Sequence, residues 1–303
     1  MTHLRTLRYS IAILATASAL ACASSPSVPA TPSSVSAPAT LLSASDRYFM
    51  SGDVRLRYRD IGQGEPVVLI HGLARSLDDW TGVADSLALD HRVIALDVRG
   101  FGKSTRVSEP GRLGIEMAHD VVRLLDHLGI RRAHLAGHSM GATIAAKVAA
   151  LHPDRVGTVA LLAGPFFDDS TSFAKDEQGL AAAVEQGRGM KGLLRWLFPM
   201  FPDSVVAALD AEAMSKNDPR TVGAAMRSMG ALTVLPSTAG TVRAPAVVVV
   251  GGGDPLLPQS RWIASWWPNA RLVELADANH ITVLHHPETL RAMRAVMRAT
   301  PSR

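Results

Sequence analysis

Apolar runs and helical periodicities alternate along most of the chain. In "VRLRYRDIG" (54–62) polar and apolar residues exchange at every second position, the mark of a half-buried strand. "PVVLIHG" (66–72), "HRVIALDVRG" (91–100), "RAHLAGHS" (132–139), "VGTVALLAGP" (156–165) and "PAVVVVGGGDP" (245–255) are instead continuous apolar runs, each closed by glycine or a polar turn. Such runs suit strands buried on both faces. "ARLVELADAN" (270–279) is a shorter strand of the same kind. Between them, "GIEMAHDVVRLLDHLGI" (114–130) places Met117, Val121, Leu124, Leu125 and Leu128 at helical spacing. "MGATIAAKVAALHPD" (140–154) is a run of good helix formers ended by proline, and "PETLRAMRAVMRA" (287–299) is amphipathic with proline at its first position. Alternation of this kind predicts an α/β fold, with a mostly parallel sheet covered by helices on both faces.

Two stretches break the rhythm. Residues 166–240 contain no strand-like run but several helical patches, among them "GLAAAVEQ" and "GLLRWLFPMF". A segment of that length is too long for a plain connection and predicts a helical insertion between two strands. The first 45 residues contain no periodic pattern. "MTHLRTLR" is positively charged, "YSIAILATASAL" is apolar but short for a bilayer span, and "ALAC" ends in small residues, as in an export signal over residues 1–21. Cys22, the only cysteine, stands where such a signal is cut, in a loose match to the lipobox of bacterial lipoproteins. The expectation is export, with a lipid anchor on Cys22 tethering the protein to the cell envelope, or simple secretion. Residues 22–45 are rich in Ser, Pro and Ala and carry no charge, which predicts an extended linker.

Composition narrows the function classes. Apolar residues make up 47% and charged ones 19% of the chain, the balance of a globular core rather than of disorder. The net charge of +4 includes Arg5 and Arg8, which are expected to leave with the signal. No basic run interleaved with aromatics is present, so nucleic acid is not an expected partner. A single cysteine forms no internal disulfide. No metal-ligand spacing or cofactor motif appears, so the expected chemistry needs neither.

The candidate chemistry gathers around "HLAGHSMGATIAA" (134–146). A buried strand, then Gly137-His138-Ser139-Met140-Gly141, then a helix is the context of a nucleophile elbow. Glycines two residues to either side relieve crowding at a strained turn, and the helix start turns unpaired N–H groups, Met140's among them, toward nearby negative charge. A serine hydroxyl needs a base, and the base needs an orienting acid. Asp254 and His280 follow the last two strands, at the same edge of the sheet, in the order Ser139, Asp254, His280. The plainer readings are a turn carboxylate for Asp254 and a surface imidazole for His280. Asp168 and Asp169 stand as alternative acids, and His71, His138, His285 and His286 are read as structural. His71-Gly72 ends a strand, and the Leu73 N–H after it is a candidate second oxyanion donor. Trp80 is expected to pack beneath that loop.

"HGLARSLDDW", "DVRGFGKS", "GHSMG", "GGGDP" and "NHITVLHHPE", in that order, resemble the α/β-hydrolase superfamily over residues 46–303. The resemblance implies a core over 46–165 and 241–303, with 166–240 as a helical cap between the sixth and seventh core strands. It assigns Asp97, Arg99, Gly100, Gly102 and Ser104 to a loop that braces the site. The nucleophile position holds serine, not aspartate, so likeness to haloalkane dehalogenases and epoxide hydrolases stops at the fold. Esterases, lactonases and carbon–carbon bond hydrolases remain. The chain has five Trp, three Tyr and seven Phe, so Trp196, Phe198 and Phe201 are a local concentration. They are read either as an apolar roof over substrate or as packing between cap and core. The leading expectation is a serine hydrolase acting on a small apolar ester. A lactonase or carbon–carbon hydrolase with the same triad is the alternative, and a non-catalytic binding protein of this fold is the reading from another class.

Overall fold

A computed structural model describes residues 39–167 and 178–299. The expectations for the export signal, Cys22, most of the linker, and Asp168 and Asp169 fall outside those residues. Eight strands form one sheet: β1 Arg47–Ser51, β2 Val54–Ile61, β3 Glu65–Ile70, β4 His91–Leu96, β5 Ala133–His138, β6 Val156–Leu162, β7 Ala246–Gly251 and β8 Ala270–Leu275. Their order is β1-β2-β4-β3-β5-β6-β7-β8. β1 pairs antiparallel with β2, and β2 with β4, while every other neighbouring pair is parallel.

Register explains why the central strands are continuously apolar. In β3, Val67 and Leu69 face one core and Val68 and Ile70 face the other. Helices α1 (Thr81–Leu87) and α8 (Pro287–Ala299) cover the first face, while α2 (Ile115–His127), α3 (Met140–Leu151) and α7 (Leu257–Trp266) cover the second. Every residue of β5, β6 and β7 is buried. The edge strand β8 is only half-buried, as its polar residues suggest.

The helical insertion lies between β6 and β7. Its described part carries α4 (Lys191–Leu197), α5 (Asp203–Lys216) and α6 (Pro219–Ser228). It is not uniformly a lid: Val222, Ala225 and Met226 of α6 are fully buried in the second core. Gly100, at φ +88°, makes room for that docking, because a Cβ there would lie 2.7 Å from Thr221 Cγ2.

Two features differ from the sequence reading. β1 leaves no mark in the hydrophobic pattern, since five residues on a sheet edge alternate too briefly to stand out. The end of the expected linker is also part of the folded body. Leu41 is fully buried, its N–H donates to Asp85 Oδ1 (2.6 Å), and its carbonyl accepts from Arg59 Nη1 (2.9 Å).

Candidate active site

The turn between β5 and α3 carries Ser139 at φ 53°, ψ −121°, a left-handed conformation that a non-glycine residue holds only under constraint. The flanking glycines supply that constraint. A Cβ on Gly137 would lie 2.0 Å from the Gly141 carbonyl oxygen, and one on Gly141 would lie 2.1 Å from that of Ile70. Only glycine lets α3 start this close to β3. The Ser139 N–H donates to the Leu162 carbonyl (2.8 Å), which ties the turn to β6.

Loops from the same edge of the sheet bring the other two residues in. Asp254, after β7, is 3% exposed; its Oδ1 accepts from the Leu256 N–H (2.9 Å). Its Oδ2 lies 2.9 Å from His280 Nδ1, and His280 Nε2 lies 3.1 Å from Ser139 Oγ. A carboxylate only accepts, so Nδ1 carries the proton and Nε2 presents its lone pair to the serine hydroxyl. Ser139, His280 and Asp254 therefore stand as a continuous hydrogen-bonded relay, an arrangement able to draw a proton from the hydroxyl during attack.

Two further imidazoles hold the site. His138 Nε2–H donates to the His280 carbonyl (2.7 Å) and so fixes the loop that carries that residue. His71 Nδ1–H donates to the Gly72 carbonyl (2.7 Å), while its Nε2 accepts from the Val98 N–H (3.0 Å). In a trans peptide the carbonyl and N–H point opposite ways, so holding the Gly72 oxygen aims the Leu73 N–H. Gly72 sits against Ser139: a Cβ there would be 3.2 Å from Ser139 Cβ. Neither the Leu73 nor the Met140 N–H donates to any described residue. Trp80 is fully buried beneath the loop.

Burial, reinforced by the His280 imidazole beside it, pushes His138 down to about 3, and burial pushes His71 down as well. The ordinary histidine value is 6.5. Below it the unfolded chain takes up protons that the folded chain does not, so stability falls toward acid. The loss is up to about 1.4 kcal/mol per pH unit for each such histidine. The melting temperature is therefore expected to drop steadily from pH 7 to pH 5. His138→Gln, whose amide still donates, should show a shallower slope. A flat profile in the parent protein would contradict this account.

The bracing loop is built as the motif implies. Asp97 accepts from the N–H of Leu77 (2.7 Å) and of Lys103 (2.8 Å), and Ser104 Oγ donates to its carbonyl (2.8 Å). Gly102 is required there, since a Cβ would overlap the Asp97 carboxylate. Arg99 grips buried Asp120 with two bonds of 2.6 Å. Arg57, which the sequence reading passed over, is 1% exposed and sits among Asp46, Asp78 and Asp97. In the alternation of β2 it falls with Arg55 and Arg59, opposite Val54, Leu56 and Tyr58, so the sequence carries no mark of its burial.

A cavity of about 180 Å³ opens over Ser139, with Leu73, Met140 and His280 in its floor and Leu194, Leu197 and Phe198 above. Trp196 and Phe198 line it, the first half-exposed at 48% and the second buried. Phe201 does not. It stacks on Phe198 (centroids 4.9 Å apart, planes at 14°), because the turn after α4 folds its ring behind the roof. His285, read as structural, is instead exposed and lines the cavity. Among the described residues the charged lining side chains are Arg75 and Asp79, which satisfy each other through Nε–Oδ2 (2.5 Å) and Nη2–Oδ1 (2.8 Å).

A family model for the alpha/beta hydrolase fold matches residues 65–190. Over 244 residues the chain is 34% identical to the dihydrolipoyllysine-residue acetyltransferase component of the acetoin cleaving system of Pseudomonas putida. That match takes in 77% of this chain and 64% of the relative, so the chain spans just under two thirds of that protein's length. It is 28% identical to a 2-hydroxy-6-oxononadienedioate/2-hydroxy-6-oxononatrienedioate hydrolase of Burkholderia vietnamiensis, across 80% of this chain and 90% of that one. Among solved structures, the enol-lactonase from Burkholderia xenovorans LB400 superposes with a TM-score of 0.70 at 26% identity, over 83% of this chain and all of that one. Sequence likeness, structural likeness and the order of the eight strands agree: the chain belongs to the α/β-hydrolase superfamily.

Proposed function

We propose that the chain is a serine hydrolase that cleaves neutral, apolar carboxylic esters through an acyl-enzyme. The observation that carries this is the Ser139–His280–Asp254 relay opening into a cavity whose charged side chains, among the described residues, are paired with each other. Ser139 Oγ attacks the carbonyl carbon and its proton passes to His280 Nε2. The Leu73 and Met140 N–H groups stabilise the oxyanion, and Asp254 stabilises the imidazolium. Collapse breaks the ester C–O bond, and Nε2 returns the proton to the departing alkoxide. Water then attacks the acyl-enzyme, again giving its proton to Nε2, and a second collapse releases the acid and restores Ser139. The apolar roof excludes bulk water and strengthens each of these interactions.

The enol-lactonase likeness favours lactones as a second substrate class, opened by the same steps with the alcohol left attached to the acid. Carbon–carbon hydrolysis of a dienedioate is less suited to this site. Such a substrate brings carboxylates, and Arg75, the arginine that lines the cavity among the described residues, is already held by Asp79. By the reading of the N-terminal segment, the activity is exported or tethered through Cys22.

The test compares p-nitrophenyl butyrate with its counterpart bearing a terminal carboxylate on the acyl chain, after fluorophosphonate labelling has located the nucleophile. Burying an unpaired carboxylate costs several kcal/mol, so kcat/KM is expected to favour the neutral ester by at least about a hundredfold. Equal turnover of the two would overturn the substrate class. A folded protein that neither labels at Ser139 nor turns over any ester would point to a binding protein instead.

A further inference from the structure

The cap reaches into the oxyanion loop at one point. Asn217, in the joint between α5 and α6, is buried, and its side-chain nitrogen donates to the Ala74 carbonyl (2.8 Å) and to the Ala213 carbonyl of its own helix (2.8 Å). Two carbonyls against one atom identify that atom as the amide nitrogen. Ala74 directly follows Leu73, the candidate oxyanion donor, and is one of three described non-glycine residues with positive φ (56°). An alanine holds that conformation only when its surroundings impose it. On the upstream side His71 holds the Gly72 carbonyl, and the Arg75 N–H also donates to it (3.3 Å). Downstream, the bond that holds Ala74 comes from the cap. The same joint is latched a second time: Arg106 of the core donates to the Lys216 carbonyl (2.8 Å) and to the Gly100 carbonyl (2.9 Å).

We infer that Asn217 is a positioning residue for the oxyanion hole, so that the Leu73 donor is aimed correctly only while the cap joint is seated on the core. The inference rests on the serine-hydrolase reading above. The cap then does more than enclose substrate: its seating completes the group that stabilises the tetrahedral intermediate. This is the arrangement expected of an enzyme that withholds catalysis until its cap is closed.

Removing an oxyanion donor outright costs a hundredfold or more in kcat, and misaiming one costs less. Asn217→Ala is expected to lower kcat by about tenfold to a hundredfold on p-nitrophenyl butyrate, with KM within about twofold of the parent. The inhibition constant of an alkyl trifluoromethyl ketone, whose Ser139 adduct places an oxyanion in the hole, should weaken by the same factor. Binding of butyrate, which makes no such adduct, should not change. Asn217→Asp, equal in size but without the N–H, should behave like the alanine variant and serves if the smaller residue fails to fold. Ala74→Gly added to Asn217→Ala should recover part of kcat, because glycine takes a positive φ without help. A general weakening of cap packing would instead raise KM and the butyrate constant together and gain nothing from the glycine. That outcome, or unchanged ketone affinity in folded variants, overturns the clamp alone. No ketone adduct in the parent protein overturns the hydrolase reading, and the clamp with it.

Discussion

Replacing Ser139 with alanine is expected to lower kcat by about a millionfold while leaving the melting temperature close to that of the parent. The two halves of this expectation have separate causes. The Ser139 hydroxyl makes one hydrogen bond among the described residues, to His280 Nε2, so its loss removes the proposed nucleophile and almost no packing. The backbone strain at φ 53° is a property of the turn, and alanine bears it as serine does. The crowding that holds the turn comes from Gly137 and Gly141, which stay in place. Activity on p-nitrophenyl butyrate and fluorophosphonate labelling, measured with a thermal melt, check both halves. Retention of more than about a tenth of the parent kcat would mean that another group attacks the ester.

Asp254→Asn is expected to cost about ten-thousandfold in kcat. The carboxylate does two things at once. Oδ1 accepts from the Leu256 N–H, and Oδ2 accepts from His280 Nδ1–H. An asparagine can keep the first bond with its oxygen only by turning its NH₂ toward His280. That forces Nδ1 to accept and places the ring proton on Nε2, against Ser139 Oγ. The base then has no lone pair to receive the serine proton, although the geometry is nearly unchanged. His280 would stay in place, since His138 still holds its carbonyl. The measurement is kcat for Asp254→Asn beside Asp168→Asn and Asp169→Asn. A large loss confined to Asp254 agrees with the relay. A loss under tenfold at Asp254, with a large one at Asp168 or Asp169, would move the acid to the segment after β6.

The parts of this molecule legible in the chain are those that local physics encodes. A strand buried on both faces is apolar at most positions, which is why β3, β5, β6 and β7 announce themselves. A serine squeezed between β5 and α3 requires glycine at both flanking positions, so "GHSMG" carries the turn geometry within five residues. Asp254 and His280 follow strands whose carboxyl ends share an edge of a parallel sheet, and an α/β alternation already implies that edge. What escaped the reading depends on partners far away in sequence. Nothing near Phe201 says that its ring will lie behind Phe198 rather than in the cavity wall. His285 sits close to His280 in sequence, yet only the curl of its 3₁₀ turn brings it to the cavity. Arg57 reads as an ordinary strand arginine until β2, the Asp97 loop and the N-terminal turn converge on it.

By itself, then, the sequence determined the central strands of the sheet, the elbow and the order in which Ser139, Asp254 and His280 follow those strands, because periodicity, steric exclusion and chain order act locally. The tertiary structure alone decided which side chains of the insertion line the cavity and that Asn217 reaches Ala74 across 143 positions of chain. The physical reason is that such contacts are set by how helices pack on the sheet, and packing accepts many sequences. A buried amide donor, by contrast, has value only where the fold delivers a carbonyl to meet it.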